Sequence, residues 1–313
     1  MRHHSSPIGI LAIACGLLAN AAPVRAAAAT WVSGTGTNAG SCPITAPCRT
    51  FQFAYGQTNN GGVINVLSAG SFGPLTIAKS ISIVADGVEA AILAGGTIGA
   101  AIQIQAGAGD IVSLRGLTID LRGTNNIGID FVSGAALHVH KCVIRRSTDG
   151  ILFAPASGTS ELTVADSVIA NTSRTGIIVV PTGSAGATAV LERVRVEDGS
   201  NAIIFSGSDT AGSIAATVRD SVAAGNANAG IHAFETGGGT TIVTVDRSAA
   251  ANNGTGIFVQ GVGATIRIGD STVSGNTNLG LLTQFSGVIA SYGTNKVNGN
   301  FIEGVPTSTI AMK

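Results

Sequence analysis

The 313-residue chain predicts an all-β fold, a single-stranded parallel β-helix of about nine coils with about 22–28 residues in each. Three observations carry that prediction. A small residue followed by Ile or Leu recurs at Ala101-Ile102, Gly128-Ile129, Gly150-Ile151, Gly176-Ile177, Ala202-Ile203, Gly230-Ile231, Gly256-Ile257 and Gly280-Leu281, at spacings of 27, 22, 26, 26, 28, 26 and 24 residues. A repeat of this length marks a stacked array in which each unit buries its apolar face against the next. Between the dipeptides lie short β-branched segments that alternate apolar with polar, such as 161–165, 240–245 and 264–268, the period-2 signature of half-buried strands. Turn-forming residues fall in columns as well. Asn171, Asp198, Asn226, Asn252, Asn276 and Asn300 come about four residues before the dipeptide, and Asp166, Glu192, Asp220, Asp246 and Asp270 lie further upstream.

From the N-terminus, residues 1–26 read as a secretory signal peptide. Arg2, His3 and His4 precede the apolar run 8–19, which is too short to span a bilayer, and Val24-Arg25-Ala26 supplies a small-residue cleavage site. The predicted location is therefore outside the cytoplasm: periplasmic, cell-surface or extracellular. No later apolar run reaches the roughly 20 residues of a membrane helix. Cleavage leaves 15 basic and 17 acidic residues, a net charge of −2. That balance lacks the cationic excess needed to neutralise phosphates, so nucleic acid is not an expected partner.

Residues 27–62 are expected to form an N-terminal cap. In Ser41-Cys42-Pro43-Ile44-Thr45-Ala46-Pro47-Cys48 two prolines constrain a short loop between cysteines, and in an oxidising compartment a Cys42–Cys48 disulfide follows. Phe51, Phe53 and Tyr55 can close the end of the core, and Cys142 is read as a packed small residue. The coils occupy 63–304, and 305–313 form a C-terminal tail too short for a lid. That leaves the last coil as an edge for self-association with another copy. An inward Asn at a tight turn can donate to one coil and accept from its neighbour, so the Asn171 to Asn300 column is expected to form a ladder of satisfied buried amides.

The segments DSVIANTSRTGIIVV at 166–180, DSVAAGNANAGIHAF at 220–234 and DSTVSGNTNLGLLTQ at 270–284 resemble the repeat of the right-handed parallel β-helix, or pectate-lyase-like, superfamily. The opening PCRTFQFAYGQTNNGGVINVLSAGSFGPLTIAKSISIVADG at 47–87 is similar to the start of exported bacterial members of uncharacterised function, which begin with a capping helix. The resemblance implies a right-handed coil. It also implies a polysaccharide as the class of ligand, because pectate lyases, polygalacturonases and alginate epimerases share the repeat, although adhesins and inert scaffolds use it too.

Chemistry of that kind needs a base near the sugar C5 and a cation for its carboxylate. The best match is the stretch 110–149, with Arg115, Arg122, Lys141, Arg145 and Arg146 beside Asp110, Asp120, Asp130, Asp149, His138 and His140. Strand alternation at 137–140 sends both histidines to one face. Aligning Ile119 with Ile144 puts Arg115 under His140 and Ser113 under His138. Arg115, His138, His140 and Lys141 are thus the candidate ligand-binding residues, the first three also the candidate catalytic ones. Against an enzyme stand short, bland loops, the absence of Trp or Tyr from the middle coils, and no aspartate trio or Asp-Pro-His-Asp sequence. The acidic column is expected to cap backbone amides, and the alternative is Ca2+ held between Asp166, Glu192 and Asp220. No other cofactor is expected. His232 reads as a surface residue. The leading function is a secreted, non-catalytic scaffold contacting extracellular or envelope polysaccharide. The alternatives are a lyase or epimerase acting on an acidic glycan and an adhesin-like self-assembling unit.

Overall fold

The computed structural model describes residues 27–93, 99–123 and 126–311, so the signal peptide expected over 1–26 lies outside the described residues. Strands of two to nine residues, cut by Gly, Asn, Asp and Ser turns, wind into three parallel sheets. Among the described residues sheet A, which opens each coil, has 12 strands, sheet B 10 and sheet C nine, and the turns number about eight, slightly fewer than the nine expected. Pairing is in register. Ile102, Ile129, Ile151, Ile177, Ile203, Ile231, Ile257 and Leu281 stack through sheet C and are all buried. Their alternate neighbours complete the core, with the Phe131 and Phe153 rings stacked at 4.3 Å.

The N-terminal end is sealed as the aromatic residues suggest. Thr50 caps the helix Phe51–Gln57 by accepting from the Phe53 N–H, and buried Phe51 packs on Phe72 at 4.9 Å. Cys42 and Cys48 form a disulfide. Its loop is bound to the first strand, Ala27–Val32, where the Trp31 N–H donates to the Cys42 carbonyl and the Cys48 N–H to the Trp31 carbonyl. Residues beyond Gly304 are more than a tail, because Ser308–Thr309 pairs with Ala290 and Ser291 as the last strand of sheet A.

Two polar ladders satisfy the backbone where the chain turns inward. Between sheets B and C the inward column runs Asn126, Ser147, Thr172, Gly199, Asn226, Asn253, Asn276, Asn300. Asn226, Asn253 and Asn276 each donate Nδ2 to Oδ1 of the next Asn, at 2.9, 3.3 and 2.7 Å, and their backbone N–H groups donate to the same oxygens. At its end Asn300 and the Gly299 N–H both donate to the Glu303 carboxylate, which stands where a further amide would be. The expected ladder is thus corrected in part. Asn226, Asn276 and Asn300 are rungs, but Asn171, Asp198 and Asn252 occupy the preceding turn position at φ 56, 57 and 55°, and the missing rung is Asn253. The reason is a length difference. From the column to the first paired residue of sheet C the turns 199–201 and 253–255 are one residue shorter than 172–175, 226–229 and 276–279, so counting back from the Ile lands one place early at Asp198 and Asn252, whereas at 171 the count reaches Thr172 and only the amide of its neighbour misdirects.

A serine ladder lies between sheets A and B. Ser221, Ser248 and Ser271 each accept from the backbone N–H one coil earlier while donating to the carbonyl two residues back, and Ser167 does the same. Cys142 fills this column, its thiol 3.4 Å from the His140 carbonyl in the geometry the serines use. Burial pushes that thiol up to about 11, so it is a packing group and no nucleophile.

Candidate functional site

Sheet A brings together the residues that the alignment pairs: Arg115 lies beside His140 and Ser113 beside His138 in adjacent coils. Both histidines face outward and are half-buried. Arg115 Nε donates to Asp86 at 2.6 Å and its Nη1 lies 3.2 Å from His140 Nδ1, while His140 Nε2 is 2.8 Å from Asp166. A guanidinium has only donors, so Nδ1 must accept and the imidazole proton sits on Nε2, directed at Asp166. His140 therefore has no free lone pair with which to take a proton. His138 makes no side-chain hydrogen bond among the described residues, and it is the imidazole still able to act on a ligand.

The turn beyond these strands corrects the acidic column. Register through sheet A places Asp166, Arg193, Asp220, Arg247 and Asp270 at one position, and Glu192, Arg219 and Asp246 at the one before. Charges alternate instead of repeating. Arg193 pairs with Asp166 at 2.6 Å and with Glu192, Arg219 pairs with Glu192 at 2.6 Å, and Arg247 pairs with Asp220 at 2.9 Å. Hydrogen bonds from Arg193, and after it His140, hold the Asp166 carboxyl down at about 2. The same two shortened turns displaced Glu192 and Asp246 in the count from sequence. Anchoring on Ser167, Val194, Ser221, Ser248 and Ser271 would have revealed the arginines. Asp166, Glu192 and Asp220 do not converge on a Ca2+ site, since an arginine stands between successive carboxylates. Among the described residues no three His, Cys, Asp or Glu side chains are grouped to hold a metal ion.

Lys141, exposed at φ 52°, lies next to the patch in the turn to sheet B. At the far end of the sheet B strand Val143–Arg145, Arg145 and Arg146 both bind the buried carboxylate of Asp120, at 2.9 and 2.8 Å from their Nε atoms. The Arg146 guanidinium first, then the Arg122 backbone N–H and Arg145, hold Asp120 below the usual carboxylate range against the opposing effect of its burial. Two cations on one anion leave a positive charge over. The remaining acids of the stretch are spent locally. Asp110 accepts from Ser80 and Gly107, Asp130 accepts from Gln103 and Asp149 is paired with Arg174.

His232 departs from the expected surface role. It stacks on Phe258 at 4.3 Å and 7°, its Nε2 is covered without a partner, and burial lowers it to about 4. It belongs to an outward apolar stripe of sheet C, Leu152, Ile178, Ile204, His232, Phe258 and Leu282, in register from coil to coil. The second apolar residue after each Gly, as in Gly150-Ile151-Leu152 and Gly256-Ile257-Phe258, was the available signal for this stripe.

No protein-family profile matches the chain, and no curated protein matches it in sequence. Among solved structures, pectate lyase Pel9A is similar over 93% of this chain and 80% of its own, with a TM-score of 0.54 and 13% identity. The A-module of Azotobacter vinelandii mannuronan C-5 epimerase AlgE4 is similar over 81% of this chain and 91% of its own, with a TM-score of 0.43 and 15% identity. At such identity the likeness to Pel9A is one of fold. The chain shares with Pel9A the fold of a right-handed parallel β-helix.

Proposed function

We propose that this protein is an exported scaffold that holds acidic polysaccharide against the basic surface at Arg115, His138, His140, Lys141, Arg145 and Arg146, and does not turn it over. The observation that carries the reading is the surplus of cations there. Asp120 answers both Arg145 and Arg146, and exposed Lys141 stands at the other end of the same sheet B strand, so a polyanion laid along it gains charge-assisted contacts. The non-catalytic reading is supported by His140, whose accepting nitrogen is already filled by Arg115. Pel9A is a pectate lyase, which supports a polysaccharide as the ligand class. The disulfide Cys42–Cys48 fits export, and no described helix is long and apolar enough to cross a membrane.

A second reading, a lyase or epimerase acting on the same glycan, is favoured by one feature: the free imidazole of His138, flanked by Ser113 and Thr163 in the neighbouring coils. The test is binding to polygalacturonate and alginate, with product analysis. Lys141→Ala combined with Arg145→Ala leaves Arg146 to neutralise Asp120 and is expected to weaken binding about tenfold or more. Unchanged binding in that variant, or no binding by the unaltered protein, refutes the proposal. An unsaturated or epimerised product that His138→Ala abolishes establishes the second reading instead.

A further inference from the structure

The turn 284–287 carries a strain that nothing inside the protein repays. The Gly287 N–H closes on the Gln284 carbonyl at 3.0 Å, and both central residues, Phe285 and Ser286, have positive φ, 49 and 63°. Glycine and asparagine fill such turns because a Cβ at positive φ meets the following carbonyl, at about 1 kcal/mol or more for a bulky side chain. Phe285 nevertheless sits there with 72% of its surface exposed, and its neighbour Val262 is 83% exposed. Strain and exposure oppose folding together, the pattern expected where a ligand supplies the compensating contact.

A cavity of about 410 Å³ opens beside the ring, lined by Phe285, Val262, Thr236 and Glu235 and otherwise by glycines. Glu235 is only 3% exposed. Its Oε1 accepts from the N–H groups of Gly237 and Gly238 at 2.8 and 3.1 Å, and its Oε2 from the Thr241 hydroxyl at 3.2 Å. The carboxylate fits because Gly207 and Gly263 flank it: a Cβ on either would stand 1.8 Å from Oε2 or 2.5 Å from Cγ. Among the described residues no Lys, Arg or His makes an ion pair with it. A pocket with an uncompensated carboxylate repels anions and favours hydroxyl donors. One exposed aromatic face and one valine among glycines fall far short of the about 800 Å² per partner of a stable protein interface.

We propose that this pocket binds an uncharged sugar unit, one C–H face laid on the Phe285 ring and a hydroxyl directed at Glu235. The site lies in the turns between sheets C and A of the last coils and shares no residue with the basic surface, so either proposal can fail without the other. The test is calorimetric titration of the full protein with cellohexaose, mannohexaose and laminarihexaose, with polygalacturonate as the charged comparison. At least one neutral hexasaccharide is expected to bind. Phe285→Gly should weaken that binding about tenfold, the worth of one aromatic contact, while leaving Tm unchanged or raised because the turn is relieved. Lys141→Ala with Arg145→Ala should leave it intact. Binding of none of the three, unchanged binding by Phe285→Gly, or a lowered Tm in that variant overturns the proposal. A concentration-dependent dimer that Phe285→Gly abolishes also overturns it, by assigning the ring to a second copy.

Discussion

Replacing Asn253 by glycine should be among the most destabilising changes in the turns, and replacing adjacent Asn252 by glycine among the mildest. Asn253 Oδ1 accepts from the Asn226 backbone N–H at 3.1 Å and from Asn226 Nδ2 at 2.9 Å. Its Nδ2 donates to the Ala223 carbonyl at 2.9 Å and to Asn276 Oδ1 at 3.3 Å. Asn253→Gly thus strands the buried Asn226 backbone N–H and takes the donor from the Ala223 carbonyl, while Asn226 Nδ2 keeps the Ala224 and Val196 carbonyls, for a total of about 2–4 kcal/mol. Asn252 is exposed at φ 55°, a conformation glycine adopts freely, so Asn252→Gly should stay within about 0.5 kcal/mol. Equilibrium urea unfolding with shared m-values measures both. A cost below about 1 kcal/mol at 253, or equal costs at the two sites, would refute the assignment of the inward rung.

Two further outcomes concern titratable groups. His232 is held at about 4 in the folded chain against about 6.5 unfolded, so it is neutral when folded and takes up a proton on unfolding between those values. Its share of stability is intact above pH 6.5 and lost as pH falls to 4. His232→Phe keeps the stack on Phe258 and removes the titration. Its advantage in denaturant unfolding should grow by about 2–3 kcal/mol as pH falls from 6.5 to 4, and a pH-independent difference would contradict the burial argument. Cys142→Ser should be neutral within about 1 kcal/mol because serine is the ordinary occupant of that ladder. The native thiol should resist a disulfide reagent that reacts promptly once the chain is unfolded.

The parts of the molecule readable in the sequence are those that repeat with constant meaning. Gly-Ile marks the start of a sheet C strand in nearly every coil because the small residue lies against the coil above: a Cβ on Gly150 would meet the Gly176 carbonyl at 2.5 Å. The pairing of Arg115 with His140 was readable for the same reason, since the two coils differ by no insertion between Ile119 and Ile144. Four of the misplaced column residues slipped through one cause, the one-residue shortening of the turns at 199–201 and 253–255. That change moved Asp198 and Asn252 into the amide column and Glu192 and Asp246 into the acidic one. It also hid Arg193 and Arg247, and with them the fact that the carboxylates are already neutralised. The partners of a charged side chain depend on register to the residue, whereas burial of an isoleucine tolerates an error of one coil position. Fold was therefore more legible than site. Phe285 was out of reach for another reason, because its significance rests on a backbone angle that Gln-Phe-Ser-Gly does not announce.

The asparagine ladder is also an electrical object. Each amide from Asn226 to Asn300 points its N–H toward the next coil and its carbonyl oxygen toward the previous one, so the dipoles add along the axis as peptide dipoles do in an α-helix. Hydrogen bonds linked head to tail polarise one another, and the column ends with its donors unsatisfied on the C-terminal side. Glu303 supplies a full negative charge at that pole, bonded to the Asn300 amide at 2.6 Å. The carboxylate closes the circuit as an anion does at a helix N-terminus, and the stack acquires a direction that its three uniform sheets do not have.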